Sequence, residues 1–170
     1  MKFAVLYFAA VLAAGTCFAQ GEEKKPAEEP RYFRLDFVVK ELEGGKVITA
    51  RNYFTTGASQ TREVSSIRTG DKVPLPTGSG GSYNFFDVGV NIDSRVLKAT
   101  DTQLMLSVNA DISSFVSAAN SGSSMPPVVR QNRWSANVVV PLKRATTIFS
   151  ADGASEKRQM QIEVTATPLL

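Results

Sequence analysis

The sequence predicts an all-β protein: an antiparallel β-sandwich of about eight strands, preceded by a cleaved signal peptide and a short disordered tether. Three observations carry this prediction. Apolar and polar residues alternate with period two over most of the chain after Arg31. Clusters of Gly, Pro, Asn, Asp and Ser separate the alternating runs, as turns require. Beyond the leader, no window sustains the 3.6-residue period of a helix. At 170 residues, 43% hydrophobic and 21% charged, the chain suits one domain with a real core.

Residues 1–19 read as a secretory signal peptide. Met1-Lys2 supplies a positive start, Phe3 to Gly15 an apolar run, and Cys17-Phe18-Ala19 a small-x-small cleavage pattern ahead of Gln20. The apolar run is shorter than the roughly 20 residues a bilayer-spanning helix needs. A lipidated Cys17 is the competing reading, disfavoured because Thr16 and the absence of leucine three residues upstream fit a lipoprotein signal poorly. Cleavage after Ala19 removes the one cysteine, so the exported chain carries no disulfide. Residues 20–30, QGEEKKPAEEP, are charged and proline-bracketed, and read as a solvated tether. Residues 31–170 form the β-domain.

The first strand places Phe33, Leu35, Phe37 and Val39 on one face and Arg34, Asp36 and Lys40 on the other. Glu43-Gly44-Gly45-Lys46 makes a hairpin turn, because paired glycines accept the positive φ of tight turns. The return strand runs from Lys46 to about Thr56. A third segment spans Arg62 to Thr69, and Pro74 and Pro76 keep the following stretch off any central strand. After the loop Thr77–Ser82, Phe86, Val88, Val90 and Ile92 alternate with Asp87, Gly89, Asn91 and Asp93. Leu104, Leu106, Val108, Ala110 and Ile112 give the strongest alternation of all. A polar loop, Ser117–Pro127, leads to strands at Val128–Val140, Thr146–Ser150 and Arg158–Thr167, the last two joined at Ala151-Asp152-Gly153. A small outer-membrane barrel is the rival architecture. Mid-strand charges such as Asp36 and Asp87, few girdle aromatics and Pro168 at a closing edge all oppose it.

The chain has no histidine and one cysteine, which excludes His-based triads, His-ligated zinc and Cys/His nucleophile pairs. Asp87 and Asp93 lie six residues apart on one strand, about 20 Å, too far to act as a glycosidase pair. Ser94 and Lys98 lack the helical context of a Ser/Lys nucleophile. Gly78-Ser79-Gly80-Gly81 is not followed by the residues of a phosphate-binding loop. No calcium-binding pattern occurs, so no catalytic, metal or cofactor-binding residue is assigned. Arg130, Arg133, Lys143, Arg144, Lys157 and Arg158 bias the second half toward basic, on a chain whose net charge is only +3. Such residues read first as a strand face that discourages edge pairing, and second as a contact for anionic lipid or an acidic partner; nucleic acid is not implied. Trp134 is in phase with Ala136, Val138 and Val140, which points to the core.

Three segments resemble the C-terminal β-domain of bacterial secretins, the ring-forming channels of type II and type III secretion. They are IRTGDKVPLPTG (Ile67 to Gly78), FFDVGVNIDSRVLKATDTQLMLSVNADISSF (Phe85 to Phe115) and PVVRQNRWSANVVVPLKRATTIFS (Pro127 to Ser150). Departures accompany the likeness. Only a tether and one hairpin precede the matched region, and Leu142-Lys143-Arg144 and Ala151-Asp152-Gly153 stand where that family has a glycine pair. Neither its gate segment nor its amphipathic C-terminal helix is recognisable. The resemblance therefore implies a short stand-alone relative: a periplasmic, outer-membrane-associated or secreted β-domain without enzymatic activity. It would act by contact with an envelope protein or with itself, in association with a secretion system. A sandwich that binds a small ligand or glycan through its Gly/Ser-rich loops is the alternative, and a hydrolase using carboxylates alone is a third reading.

Overall fold

The computed structural model describes residues 29–77, 82–116, 128–153 and 157–169. The leader, all but the end of the tether, Gly78–Gly81 and the loop Ser117–Pro127 lie outside the described residues. Eight strands follow one another: β1 (Tyr32–Glu43), β2 (Lys46–Ala58), β3 (Ser65–Pro76), β4 (Tyr83–Ala99), β5 (Gln103–Val116), β6 (Val128–Pro141), β7 (Thr146–Asp152) and β8 (Arg158–Pro168). They form two four-stranded antiparallel sheets, ordered β2-β1-β8-β7 and β3-β4-β5-β6. The sheets do not close into one barrel; beyond the ladders, an isolated bridge from Leu142 to Ala166 links them. The sandwich is thus the observed architecture, and the barrel is set aside.

Period-two alternation explains the packing. Phe33, Leu35, Phe37 and Val39 of β1 and Met160, Ile162, Val164 and Ala166 of β8 are buried from one sheet. Val90, Ile92 and Val96 of β4, Leu104, Leu106, Val108, Ala110 and Ile112 of β5, and Val140 of β6 meet them from the other. Trp134 sits partly buried against this core, its ring 5.5 Å from that of Phe149. Burial of these side chains, about 1.5–3 kcal/mol for each Val, Leu, Ile, Phe or Met fully removed from water and less for each Ala, supplies the cohesion that no disulfide provides. Gly44 and Gly45, at φ 56° and 82°, form the expected turn between β1 and β2.

Several boundaries differ from the sequence reading. The third strand is not Arg62–Thr69 but Ser65–Pro76, running through Pro74 and Pro76. The prolines are accommodated because β3 is an edge strand, paired only with β4. The turn assigned to Ala151-Asp152-Gly153 begins later: Ala151 and Asp152 still pair with Met160 and Gln159. In β4 the inward stripe is buried only from Val90 onward, and Phe86 lies exposed.

Candidate functional site: a polar mouth and a forked sheet

Every antiparallel connection makes one end of the sandwich collect the end of β1, β3, β5 and β7 and the start of β2, β4, β6 and β8. At that end several inward-phase positions turn polar, although Val88 and Phe86 on β4 stay apolar. Continuing the stripes past the core residues reaches Glu41 on β1, Arg51 on β2, Asp71 on β3, Ser114 on β5, Arg130 on β6 and Arg158 on β8. Arg51 stands opposite Val39, Asp71 opposite Val88 and Glu41 opposite Met160, which fixes their phase. Together with Tyr53, Ser113 and neighbouring backbone they line a cavity of about 400 Å³. Arg130, Asp152, Gln159 and Met160 continue the opening toward β7 as a second cleft of about 190 Å³. Burying these charges would cost more than their mutual attraction returns, so the sheets hold them at a wet opening instead of a dry core. Arg158 approaches Glu43 at 3.8 Å. Arg51 and Arg130 make no ion pair or hydrogen bond among the described residues.

The second sheet forks at the same end. The β4–β5 ladder stops at Val90 opposite Ile112, whereas β3–β4 continues to Pro76 opposite Tyr83 and β5–β6 to Val116 opposite Val128. Tyr83–Gly89 therefore pairs with β3 alone. Ser113 sits in the crotch: its Oγ accepts the Gly89 N–H at 3.0 Å and donates to the Asp87 carbonyl at 3.3 Å. A side-chain hydroxyl thus replaces the main-chain partner that β5 no longer offers. Just below, Gly70 faces Gly89 across β3–β4. A Cβ on Gly89 would lie 2.1 Å from the Thr69 carbonyl oxygen, and one on Gly70 2.4 Å from that of Val88. Only paired glycines admit so close a crossing.

Above this crossing the β3–β4 ribbon is apolar on both faces. Pro74 pairs with Phe85 on one, and Val73 with Phe86 on the other. Tyr83, Phe85 and Phe86 remain 56%, 65% and 44% exposed, a concentration of uncovered aromatic surface that solvent alone does not favour.

The residues singled out from sequence are dispersed. Asp87 and Asp93 lie on the outer face, and each meets its own cation: Asp87 Lys72 at 3.8 Å, Asp93 Arg68 at 2.7 Å. The Ser66 hydroxyl bond, with help from Arg68, holds the Asp93 carboxyl below its usual range against the opposing pull of burial. Partial burial pushes the Asp111 carboxyl up, but hydrogen bonds from Gln131 and Arg133 outweigh it and leave Asp111 low as well. Ser94 is buried within the sandwich, while Lys98 is exposed beyond a bulge at Leu97. The six basic residues do not make one patch. Arg130 and Arg158 enter the mouth, Arg133 pairs with Asp111 on the outer face, and Lys143 and Arg144 lie at the opposite end. Sequence reasoning missed Glu41, Arg51 and Asp71. Their signal was charge at an inward-phase position, near the end of β1 for Glu41 and in mid-strand for Arg51 and Asp71. Among the described residues no group of three or more acidic side chains is placed to hold a metal ion.

No protein-family model matches the chain, and no curated protein matches it either. Among solved structures the chain is similar to secretins, the family that its three segments resemble. It matches the type II secretion secretin XcpQ from Pseudomonas aeruginosa at 9% identity and TM-score 0.43, over 82% of this chain and 56% of that one. It matches the type III injectisome secretin InvG from Salmonella at 9% identity and TM-score 0.47, over 83% and 64%. The type II secretin GspD from enteropathogenic Escherichia coli gives 9% identity and TM-score 0.46, over 83% and 66%. The chain spans less than two thirds of each of these proteins.

Proposed function

We propose that this chain is an exported, non-enzymatic β-domain protein that works by protein–protein contact at the cell envelope, in association with a secretion assembly. The observation that carries the reading is the forked end. There a strand edge with no partner among the described residues, a ribbon with aromatics uncovered on both faces, and a polar opening lie side by side. Open edges and exposed apolar patches are what proteins present to other chains, and natural sheets otherwise blunt them. Export rests on the leader-like residues 1–19. The side-chain chemistry supports a contact role as well, since the sequence offers no histidine and Asp87, Asp93 and Asp111 on the outer face each meet a neighbouring cation.

The test is fractionation followed by capture. The protein is expected in the envelope or the medium with its mature N-terminus at Gln20, and to co-purify with an envelope protein or to run larger than a monomer. Recovery from the cytosol with residues 1–19 attached, or a strictly monomeric species that captures nothing from envelope extracts, overturns the reading.

A further inference from the structure

We propose that the fork is a strand-acceptor site: an extended peptide with acidic side chains at alternate positions adds to the free edge of β4 between the two ribbons. This deepens the contact role proposed above and names the chemistry of the partner. The backbone makes the first part of the case. Gly89 N–H and the Asp87 carbonyl both point to the side that β5 has vacated, where Ser113 caps them. Ladder alternation turns the main-chain groups of Phe85 and Tyr83 to that same side. Those groups have no strand opposite them among the described residues. Tyr83–Gly89 spans about 23 Å of edge, enough for an incoming strand of about seven residues.

Side chains make the second part. A strand in that position sends alternate residues to the two faces of the sheet. Inward residues arrive beside Ser114 and Arg130, across the mouth from Arg51 and Arg158, with Asp71 on the far side of β4 and Glu41 on the opposite sheet. Arg130 stands on the wall the peptide would face and has no partner of its own among the described residues, so a carboxylate there gains a charge-assisted bond. Outward residues arrive near Asp87, Asp93 and Asp111, each with a neighbouring cation. Neutral side chains fit that face. Main-chain bonds would give affinity and the alternating carboxylates specificity, the general logic of strand addition.

A capped nine-residue peptide of alternating Thr and Glu is the probe, with fluorescence anisotropy reporting binding and hydrogen exchange reporting the backbone. Saturable binding is expected, with slowed exchange at the Phe85 and Asp87 amides. Replacing Glu by Gln in the peptide, or Arg130→Gln in the protein, is expected to weaken binding at least about tenfold, one charge-assisted bond's worth. A central proline in the peptide is expected to abolish it. Arg130→Lys, which keeps the charge, serves with a thermal melt as the control for folding. The proposal is overturned by no binding, by equal binding of the Glu, Gln and proline peptides, or by unchanged exchange at Phe85 and Asp87. Failure here is separable from failure of the broader reading. A captured envelope partner whose binding leaves those two amides unprotected supports contact while sinking strand addition. Peptide binding by a cytosolic, uncleaved protein does the reverse.

Discussion

The two ends of the sandwich are built on the same alternation and put it to opposite uses. Toward the end where β1 begins, inward positions are Phe33, Leu35, Leu104, Leu106, Val140 and Ala166, all buried, with β1 paired on both sides by β2 and β8 and β5 on both sides by β4 and β6. Toward the other end the same phase delivers Glu41, Arg51, Asp71, Arg130 and Arg158, and the second sheet divides. One end holds the molecule together, and the other forgoes burial to keep polar groups and a strand edge in water. Breaks in the packing rule that leave the strand intact are where functional surface is expected, and the contact role proposed above rests on this end.

Substitutions at the two ends test that contrast. The largest effect is expected from Phe37→Ala in the packed part, where a fully buried ring leaves a cavity; a loss of about 3–5 kcal/mol should appear in urea unfolding. Gly89→Ala at the fork is expected to cost about 1–3 kcal/mol, because the new methyl meets the Thr69 carbonyl and the crossing must open. Hydrogen exchange at the Gly89 amide should rise with it as the Ser113 bond is disturbed.

Asp93 sharpens the comparison through pH. Its carboxyl titrates lower in the folded protein than in the unfolded chain. Its contribution is therefore fully present above the unfolded value of about 4 and is lost as pH falls through the folded value. Asp93→Asn is expected to be less stable than the parent near neutral pH, by less than about 1 kcal/mol for so exposed a pair. The gap should close in acid, as urea midpoints at several pH values would show. The smallest effect is expected from Arg51→Gln with Arg130→Gln: within about 0.5 kcal/mol of the parent, since neither side chain has a partner to lose among the described residues. A loss as large as that of Phe37→Ala would mean that the mouth is core after all.

Much of the sandwich was legible in the residues. The stripes of β1, β5 and β8 were read with the right face inward because each strand is buried on one side only, which makes period two unambiguous. The Gly44-Gly45 turn was legible for its own reason, a local backbone requirement. Phe86 and Val88 were read as a continuation of the Val90–Ile92 stripe, and the phase holds, but Val88 is only half-buried and Phe86 is exposed. Alternation reports which side a residue faces and carries no information on whether anything lies opposite. The apparent basic cluster failed, since Arg130, Arg133 and Arg144 are near in sequence but face inward, outward and the far end.

Local chemistry by itself determined the strands, their faces and the first turn, because side-chain period and glycine's freedom act within a few residues. Only the assembled sheets decided that β4 outruns its pairing with β5, that Gly70 meets Gly89, and that Glu41, Arg51, Asp71, Arg130 and Arg158 share one opening. Those relations join residues on different strands, from ten positions apart (Glu41 and Arg51) to more than a hundred (Glu41 and Arg158), and they depend on register between strands, which no single strand's pattern contains.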